Sequence, residues 1–524
     1  MEQLVLILLF SLLVIVVTLT LISKSSNSSS KSSSTYILPA PLPPAPRQLP
    51  IIGHLHHLLS GDPIPHISFR NLSSLHGPVM LLRLGQVNVV VISSREAAEE
   101  ILRTHDLCFA SRPEINRARA MTYGFRDIAM APYGPSWRLL RKICITELLT
   151  AKRVASFASI RNEAVSALVE SIAAAAAGRK EAVNLKQKLE ETTNDIVTRA
   201  AFSRESRKGR KEEFLRLLKD LIWQITGLDL GDLFPWLGFV DTVLGVKGRI
   251  EGHLRGLDAI LDEIIGEHEA RLRLMKSEGI DDGNVDLLDV LLTARDEEQF
   301  GQSISIENVK AVALELFFAG IDTTSSTMQW AMSELMRNPK AMEKVQSEIR
   351  QVAAMGRKGR IEEEDLNKLS YLKQVIKETL RLHPAVPLLL PRLCRETCQV
   401  QGFTVPAGTR VLVNVWAIGR DSRYWDDPEE FLPERFDEKM VDFRGANFEF
   451  LPFGAGRRIC PGMNFGLANV ELTLANLLLC FDWNLPDGMR ARDLDMSETN
   501  ASTSGRKVDL CLLATSYISA DEVA

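Results

Sequence analysis

The chain has 524 residues, 45% of them hydrophobic and 25% charged, the balance of a globular protein with ample apolar material for a large core. A net charge of -5 argues against a nucleic-acid binder, which shows a basic excess or a basic stripe. Seven cysteines, at 108, 144, 394, 398, 460, 480 and 511, are an odd number with one close pair, so neither a disulfide framework nor a pair-plus-pair zinc site is present and reduced thiols are expected.

Leu4 to Ile22 is an uncharged apolar run that covers about 28 Å as a helix, one hydrocarbon core. A cleaved signal peptide has a shorter apolar core of about 7–15 residues and a small-residue cleavage site. Here Glu2 precedes the run and Lys24 and Lys31 follow it, so residues 1–23 are expected to anchor the chain with its remainder in the cytosol. Residues 24–50 read as a linker: Ser23–Ser34 is low in complexity, and PAPLPPAPRQLP (Pro39–Pro50) is a stiff extended spacer. Length alone suggests about three domains, but no second linker or fixed-period repeat follows Ile51, so 51–524 is expected to be one body. The acceptor triplets at Asn27, Asn71 and Asn500 stay unmodified if that body is cytosolic.

Within the body, Leu81–Ser93 reads as a hairpin turning at Gly85-Gln86. WRLLRK (Trp137–Lys142) opens a helix after Gly134-Pro135 and sets Trp137 and Arg141 on one face. The two form either a surface aromatic–cation pair or a clamp aimed at a ligand carboxylate, which Arg392 and Arg458 could join. Ala158–Ala177 and Gly252–Lys276 read as helices. One helix runs from an N-cap at Ser305, with Glu307 in its first turn, to Asn338 before Pro339, about 50 Å. Its middle, FFAGIDTTSS (Phe317–Ser326), is weak: Gly320 costs about 1 kcal/mol against alanine, and the hydroxyls compete for backbone groups. Either small residues serve close packing there, or Gly320 makes room while Asp322 and Thr323 pass protons.

ETLR (Glu378–Arg381) sets opposite charges on one helix face, and Arg435 of PERF could share the carboxylate. A buried trio of this kind would fix geometry rather than add stability. Cys398–Val415 reads as β with its turn at Pro406-Ala407-Gly408. FGAGRRICPG (Phe453–Gly462) then places Cys460 just ahead of a helix N-terminus, where the dipole favours thiolate and glycines permit close approach to a flat ligand. It lacks the P-loop Lys-Ser/Thr, which leaves a haem-ligating thiolate with arginines for carboxylates, or a nucleophilic cysteine.

Phe453, Gly456, Arg458, Cys460 and Gly462 match the pattern Phe-x-x-Gly-x-Arg-x-Cys-x-Gly at each required position. With WRLLR, AGIDTT, ETLR and PERF also in order and at similar spacing, the chain from Pro39 onward resembles a cytochrome P450. The N-terminal anchor and LPPAPRQLPIIGHL resemble the microsomal type, with Ala45 where glycine is usual. FGAGRRICPG and FLPERF resemble the plant A-type group, the 71 clan. The resemblance implies a mainly α fold with small β-sheets, haem b between the long central helix and the Cys-ligand loop, and an N-terminal transmembrane helix. Cys460 would be the axial thiolate and metal ligand. Trp137, Arg141, Arg392 and Arg458 would hold the haem propionates, and Phe453 and Gly462 of the ligand loop would also bind the cofactor. Glu378, Arg381 and Arg435 would be a structural charge trio, and Asp322 and Thr323 the catalytic proton relay. The substrate pocket would draw on the Glu114–Arg126 loop, Leu316–Ala319 (with Phe318 and Ala319), Val386–Leu390 (with Val386 and Leu389) and the polar turn Asn500–Thr503. The implied reaction is RH + O2 + NADPH + H+ giving ROH, water and NADP+, on a hydrophobic small molecule of plant specialised metabolism. No dinucleotide or flavin fingerprint occurs in the chain, so electrons would come from NADPH–cytochrome P450 reductase docked over Lys142 and Arg457. The enzyme would sit in the endoplasmic reticulum membrane through residues 4–22, with its catalytic domain cytosolic. A haem–thiolate isomerase or dehydratase, or a non-catalytic haem-binding protein, is the alternative. The first typically loses the acid–alcohol pair and the second the ligand loop; both are intact here.

Overall fold

The computed structural model describes residues 40–60, 62–178, 182–202, 210–225, 230–279, 285–296, 303–356, 359–438, 440–501 and 503–517. The expected anchor and the serine-rich part of the linker lie outside them. The longer helices are α1 (Pro65–His76), α2 (Pro135–Ile143), α3 (Ala158–Gly178), α4 (Leu185–Phe202), α5 (Lys211–Ile225), α6 (Val246–Glu278), α7 (Leu287–Asp296), α8 (Ile306–Arg337), α9 (Pro339–Gly356), α10 (Ser370–Leu382) and α11 (Met463–Cys480). The strands are β1 (Val79–Leu84), β2 (Val87–Ile92), β3 (Val183–Asn184), β4 (Arg392–Leu393), β5 (Cys398–Val400), β6 (Phe403–Val405), β7 (Arg410–Val413), β8 (Phe481–Asn484) and β9 (Cys511–Ser516).

Gly85, at φ +61°, turns β1 into β2 as an antiparallel hairpin, as the β-branched runs on either side require. β7 adds parallel to β2, and β4 adds antiparallel to β7, giving the order β1-β2-β7-β4. The expected single β unit over Cys398–Val415 divides in two. Its hairpin, β5–β6, turns at Gln401-Gly402, both at positive φ. Pro406-Ala407-Gly408 instead carries the chain out of that hairpin to β7 in the larger sheet. β3, β9 and β8 form a third small sheet.

α8 begins at a capping box. Ser305 Oγ accepts from Asn308 N, and Asn308 Oδ1 accepts from Ser305 N at 2.9 Å. The helix crosses two cores. Val309, Val312, Leu314 and Phe317 pack with α4 to α7, and Met328, Ala331, Met332 and Leu335 pack with α9 to α11. Each fully buried leucine or phenylalanine contributes about 1.5–3 kcal/mol, so both ends of α8 are held firmly. In the stretch between, residues 318–327, only Phe318 and Ile321 pack against a core, and both are just partly buried; the candidate site lies there. α11 is apolar and long enough to cross a bilayer, but most of it is buried in the body, directly behind the cysteine loop.

Candidate active site

The loop Phe453–Gly462 is shaped by one carboxylate that the sequence did not single out. Gly456 has φ +69°, and a Cβ there would lie 2.3 Å from Leu102 O and 2.7 Å from Asp106 Oδ1. Glycine at this position is what lets Leu102 O and the Asp106 carboxylate approach the loop. Asp106 accepts from Arg457 N at 3.0 Å, Arg457 Nη1 at 2.8 Å and Arg392 Nη1 at 3.2 Å. Nothing in THDLCFA marks this residue, because its partners are hundreds of positions away. Cys460 N donates to Phe453 O at 3.0 Å, closing the loop, and α11 starts three residues later. Burial pushes the Cys460 thiol up, while the N–H groups of Gly462 and Met463 and the Arg141 guanidinium work the other way. The side chain is only half-buried.

Four guanidiniums gather beside this loop. Arg458 is buried and donates to Ala110 O (2.7 Å), Ile128 O (3.0 Å) and Ala131 O (2.6 Å). Arg392 donates to Asp106 and to Ala455 O at 3.0 Å. Arg141 donates to Ile459 O at 2.6 Å. Arg112, which the sequence reading missed, donates to Ala129 O (2.9 Å), Leu390 O (2.7 Å) and Pro391 O (2.9 Å). Burial and then the neighbouring Arg392 push Arg458 down to about 9, and burial with Arg392 and Arg458 drives Arg112 well below the usual range. The expected Trp137 clamp differs: its indole N–H donates to Ile128 O at 2.9 Å, because a buried donor must be satisfied, and its ring lies 4.0 Å from the Arg458 guanidinium.

On the facing wall, Ala319, Asp322 and Thr323 remain accessible in the middle of α8. Thr323 Oγ1 donates to Ala319 O at 2.6 Å. Asp322 is exposed, yet enough protein surrounds it that desolvation raises its carboxyl, against the pull of Lys219 and Lys186. A Cβ on Gly320 would meet Val197 Cγ2 of α4 at 3.3 Å, so this glycine serves helix packing rather than making room at the site. Thr324 faces Gly466 of α11, which joins the central helix to the cysteine loop's own helix. Glu315, one turn before Ala319, accepts from Ile128 N at 2.7 Å; burial and then Asp127 push it up to about 8.

The remaining expected residues fall around these walls. Arg381 reaches Glu378 through Nε (2.7 Å) and Nη2 (2.8 Å), and Arg435 Nε reaches the same carboxylate at 2.9 Å. Arg381 also donates to Gly419 O, Pro428 O and Glu430 O, tying α10 to the chain that leads into the cysteine loop. Leu389 lies against Gly454 and takes φ +52°, a strained value for leucine. Phe318, Val386 and Leu389 are half-buried. The expected loop Glu114–Arg126 contains a short helix, Asn116–Met121.

An iron porphyrin fits this donor set. One cysteine sulfur, on a half-buried residue, is supported by backbone N–H groups at a helix start. The guanidiniums are in excess: Asp106 is shared between Arg392 and Arg457, and burial pushes the other two nearby carboxyls, Asp127 and Glu315, toward their neutral forms. A ligand with two carboxylates would balance them. Comparison with known proteins agrees. The family model described as Cytochrome P450 matches residues 43–512. Premnaspirodiene oxygenase of Hyoscyamus muticus is 46% identical over 91% of this chain and 93% of its own. Desmethyl-deoxy-podophyllotoxin synthase of Sinopodophyllum hexandrum is 47% identical over 90% and 92%. A zebra fish cytochrome P450 solved with progesterone superposes at TM-score 0.72 with 27% identity, over 86% of this chain and 99% of that one. The match spans both walls and the loop between them, so the chain belongs to the cytochrome P450 family and is a plant 71-type haem–thiolate monooxygenase.

Proposed function

We propose that this monooxygenase oxidises a hydrophobic small molecule of plant specialised metabolism, with electrons from NADPH–cytochrome P450 reductase, at the endoplasmic reticulum membrane. One observation carries the substrate class. The accessible face of α8 is accompanied by the apolar segments Leu316–Ala319 and Val386–Leu390, while the tip Asn500–Thr503 and the Glu114–Arg126 loop are polar. Relatives named for a diene oxygenation and for the making of desmethyl-deoxy-podophyllotoxin are consistent with such a substrate.

Bound haem supplies the activation of dioxygen; the chain's residues hold it, admit substrate and manage protons. Cys460 would supply the thiolate that holds the iron, and the N–H groups of Gly462 and Met463 would stabilise its charge. Arg112, Arg141, Arg392 and Arg458 would hold the haem's two carboxylates, and Trp137 would act on them only by supporting Arg458. Asp322, with its raised carboxyl, holds a proton closer to neutral pH than an ordinary aspartate. Thr323 Oγ1, on the accessible wall, passes protons on once it leaves the Ala319 carbonyl. Glu378, Arg381 and Arg435 keep the polypeptide behind the ligand loop in place.

The membrane assignment draws on more than Leu4–Ile22. Trp236, Phe239 and Val243 are 44%, 57% and 74% exposed, and Leu42 and Leu49 are also open. These segments meet at one end: Gly85 N donates to Ile52 O at 3.2 Å, and Gln86 N to Leu233 O at 2.8 Å. An apolar end beside the anchored terminus suits a bilayer surface. For the reductase, Lys142 and Arg457, both exposed, are the candidate docking cations. The test is co-expression with the reductase in microsomes and NADPH-dependent turnover of a panel of terpenoid, phenylpropanoid, alkaloid and fatty-acid substrates, read by mass spectrometry. Turnover confined to apolar members is expected; turnover of charged members alone would overturn the proposal.

A further inference from the structure

Behind the polar tip lies a buried group of two carboxylates and two imidazoles with no part in the chemistry above. Glu498 Oε2 lies 2.9 Å from His66 Nε2 of α1 and accepts from Ser504 Oγ at 2.7 Å. Its Oε1 faces His383 Nδ1 at 3.9 Å. The other nitrogen of His383 lies 2.8 Å from Glu334 Oε1 of α8, and the imidazole stacks on Trp330 with centroids 4.0 Å apart and planes at 2°. All four side chains are buried, each with 8% exposure or less. Burial opposes ionisation of Glu498, yet His383 and His66 hold its carboxyl far below the ordinary range.

A buried carboxylate is costly unless it is paired, and apolar side chains could hold a loop at less expense. What directional pairing adds is register. Ser504 is fixed on four sides: its hydroxyl to Glu498, its N–H to Ala385 O at 2.9 Å, and its carbonyl to Ser326 Oγ at 2.7 Å and Trp330 Nε1 at 3.0 Å. Thr499 N donates to Gly505 O at 2.8 Å, which closes the tip between them. Ser326 lies three residues along α8 from Thr323, and Ala385 directly precedes Val386. The tip is therefore suspended between the proton-relay wall and the apolar wall.

We propose that Glu498, gripped by His66 and His383, is the positioning residue of the substrate pocket: through Ser504 it sets the height and register of the neighbouring tip residues Asn500, Ala501 and Thr503. It acts without touching substrate, so it governs how large a ligand fits and which of its carbons faces the iron. The proposal rests on the assignment of that tip to the pocket and is independent of the natural substrate, the reductase and the membrane.

The test uses the full-length haem-loaded protein and two azole probes read by optical difference spectra. Imidazole is too small to reach the tip; clotrimazole is bulky enough to press on it. Glu498→Gln is expected to change the clotrimazole dissociation constant by about fivefold or more while imidazole binding stays within about twofold. Ser504→Ala leaves Glu498 paired with both histidines, so folding is not at risk, and it should shift the same ratio in the same direction. An unchanged clotrimazole-to-imidazole ratio in Ser504→Ala would overturn the proposal. So would a parallel loss of both affinities in Glu498→Gln, which marks general damage. Failure of the metabolite panel alone would count against the substrate class and leave these ratios standing.

Discussion

Gly454 and Gly456 offer a matched comparison within one loop. Both sit at φ +69°. Alanine in the left-handed region costs about 1–2 kcal/mol, so each Gly→Ala change carries that term. Their surroundings differ. At Gly454 the new methyl would meet only Leu389 Cδ1 at 3.5 Å, ordinary contact, whereas at Gly456 it would lie 2.3 Å from Leu102 O and 2.7 Å from Asp106 Oδ1. Relief there must move backbone or a carboxylate that holds three N–H donors, and overpacking of this kind adds about 1–3 kcal/mol. The expected losses are about 1–2 kcal/mol for Gly454→Ala and roughly 2–5 kcal/mol for Gly456→Ala. Urea titration of the reduced, carbon-monoxide-bound holoenzyme, followed by the thiolate-type Soret band, measures both. Because Asp106 also holds Arg392 and Arg457, the Gly456 variant should alter the band before unfolding begins. Equal losses in the two variants, or a larger one at Gly454, would refute the claim that Asp106 and Leu102 require glycine at 456.

Glu378→Gln leaves Arg381 and Arg435 without their shared buried anion and should lower stability by about 3–5 kcal/mol in the same titration. Thr323→Ala should send electrons to hydrogen peroxide, cutting product per NADPH about tenfold or more with an unchanged Soret band; unchanged product yield would remove Thr323 from the proton path. Burial, followed by the neighbouring Cys108, pushes the half-buried Cys398 thiol up to about 12. Since thiolate is the reacting form, its alkylation by iodoacetamide should keep rising about tenfold per pH unit from 7 to 10, whereas an ordinary thiol levels off above about 8.5. Peptide mass spectrometry after timed labelling reads the difference.

Features set by neighbouring residues were legible in the sequence; features set by distant contacts were not. Ser305 and Pro339 bound α8 because a cap and a helix breaker act locally. The β1–β2 turn was legible for the same reason. Pro406-Ala407-Gly408 does turn the chain, but which strand receives β7 depends on β2, far upstream. The spacing of Trp137 and Arg141 showed a common face but not that Ile128 O would take the indole proton. Gly320 read equally well as packing or as room for ligand until Val197 of α4 was seen against it. Asp106 and Arg112 lie in stretches with no motif, and both matter only because the fold carries them to the cysteine loop, Asp106 across 351 positions from Arg457.

The four guanidiniums should not share the propionates equally, and the reason lies in their present partners. Arg392 is paired with the Asp106 carboxylate, so part of its charge is already balanced. Arg112 and Arg458 donate to three neutral backbone carbonyls each, which satisfy N–H groups without supplying counter-charge. Both are pushed down by burial and then by the neighbouring Arg392, whereas at Arg392 the Asp106 carboxylate works against the effect of burial. A propionate therefore relieves more at Arg112 and Arg458 than at Arg392. Removing Arg392 also leaves Asp106 served by Arg457. Haem transfer to excess apomyoglobin ranks them directly: Arg458→Met and Arg112→Met should release haem faster than Arg392→Met. A reversed order would mean that Asp106 yields Arg392 to the haem when the cofactor binds, and that the ligand loop and the propionate site compete for one cation.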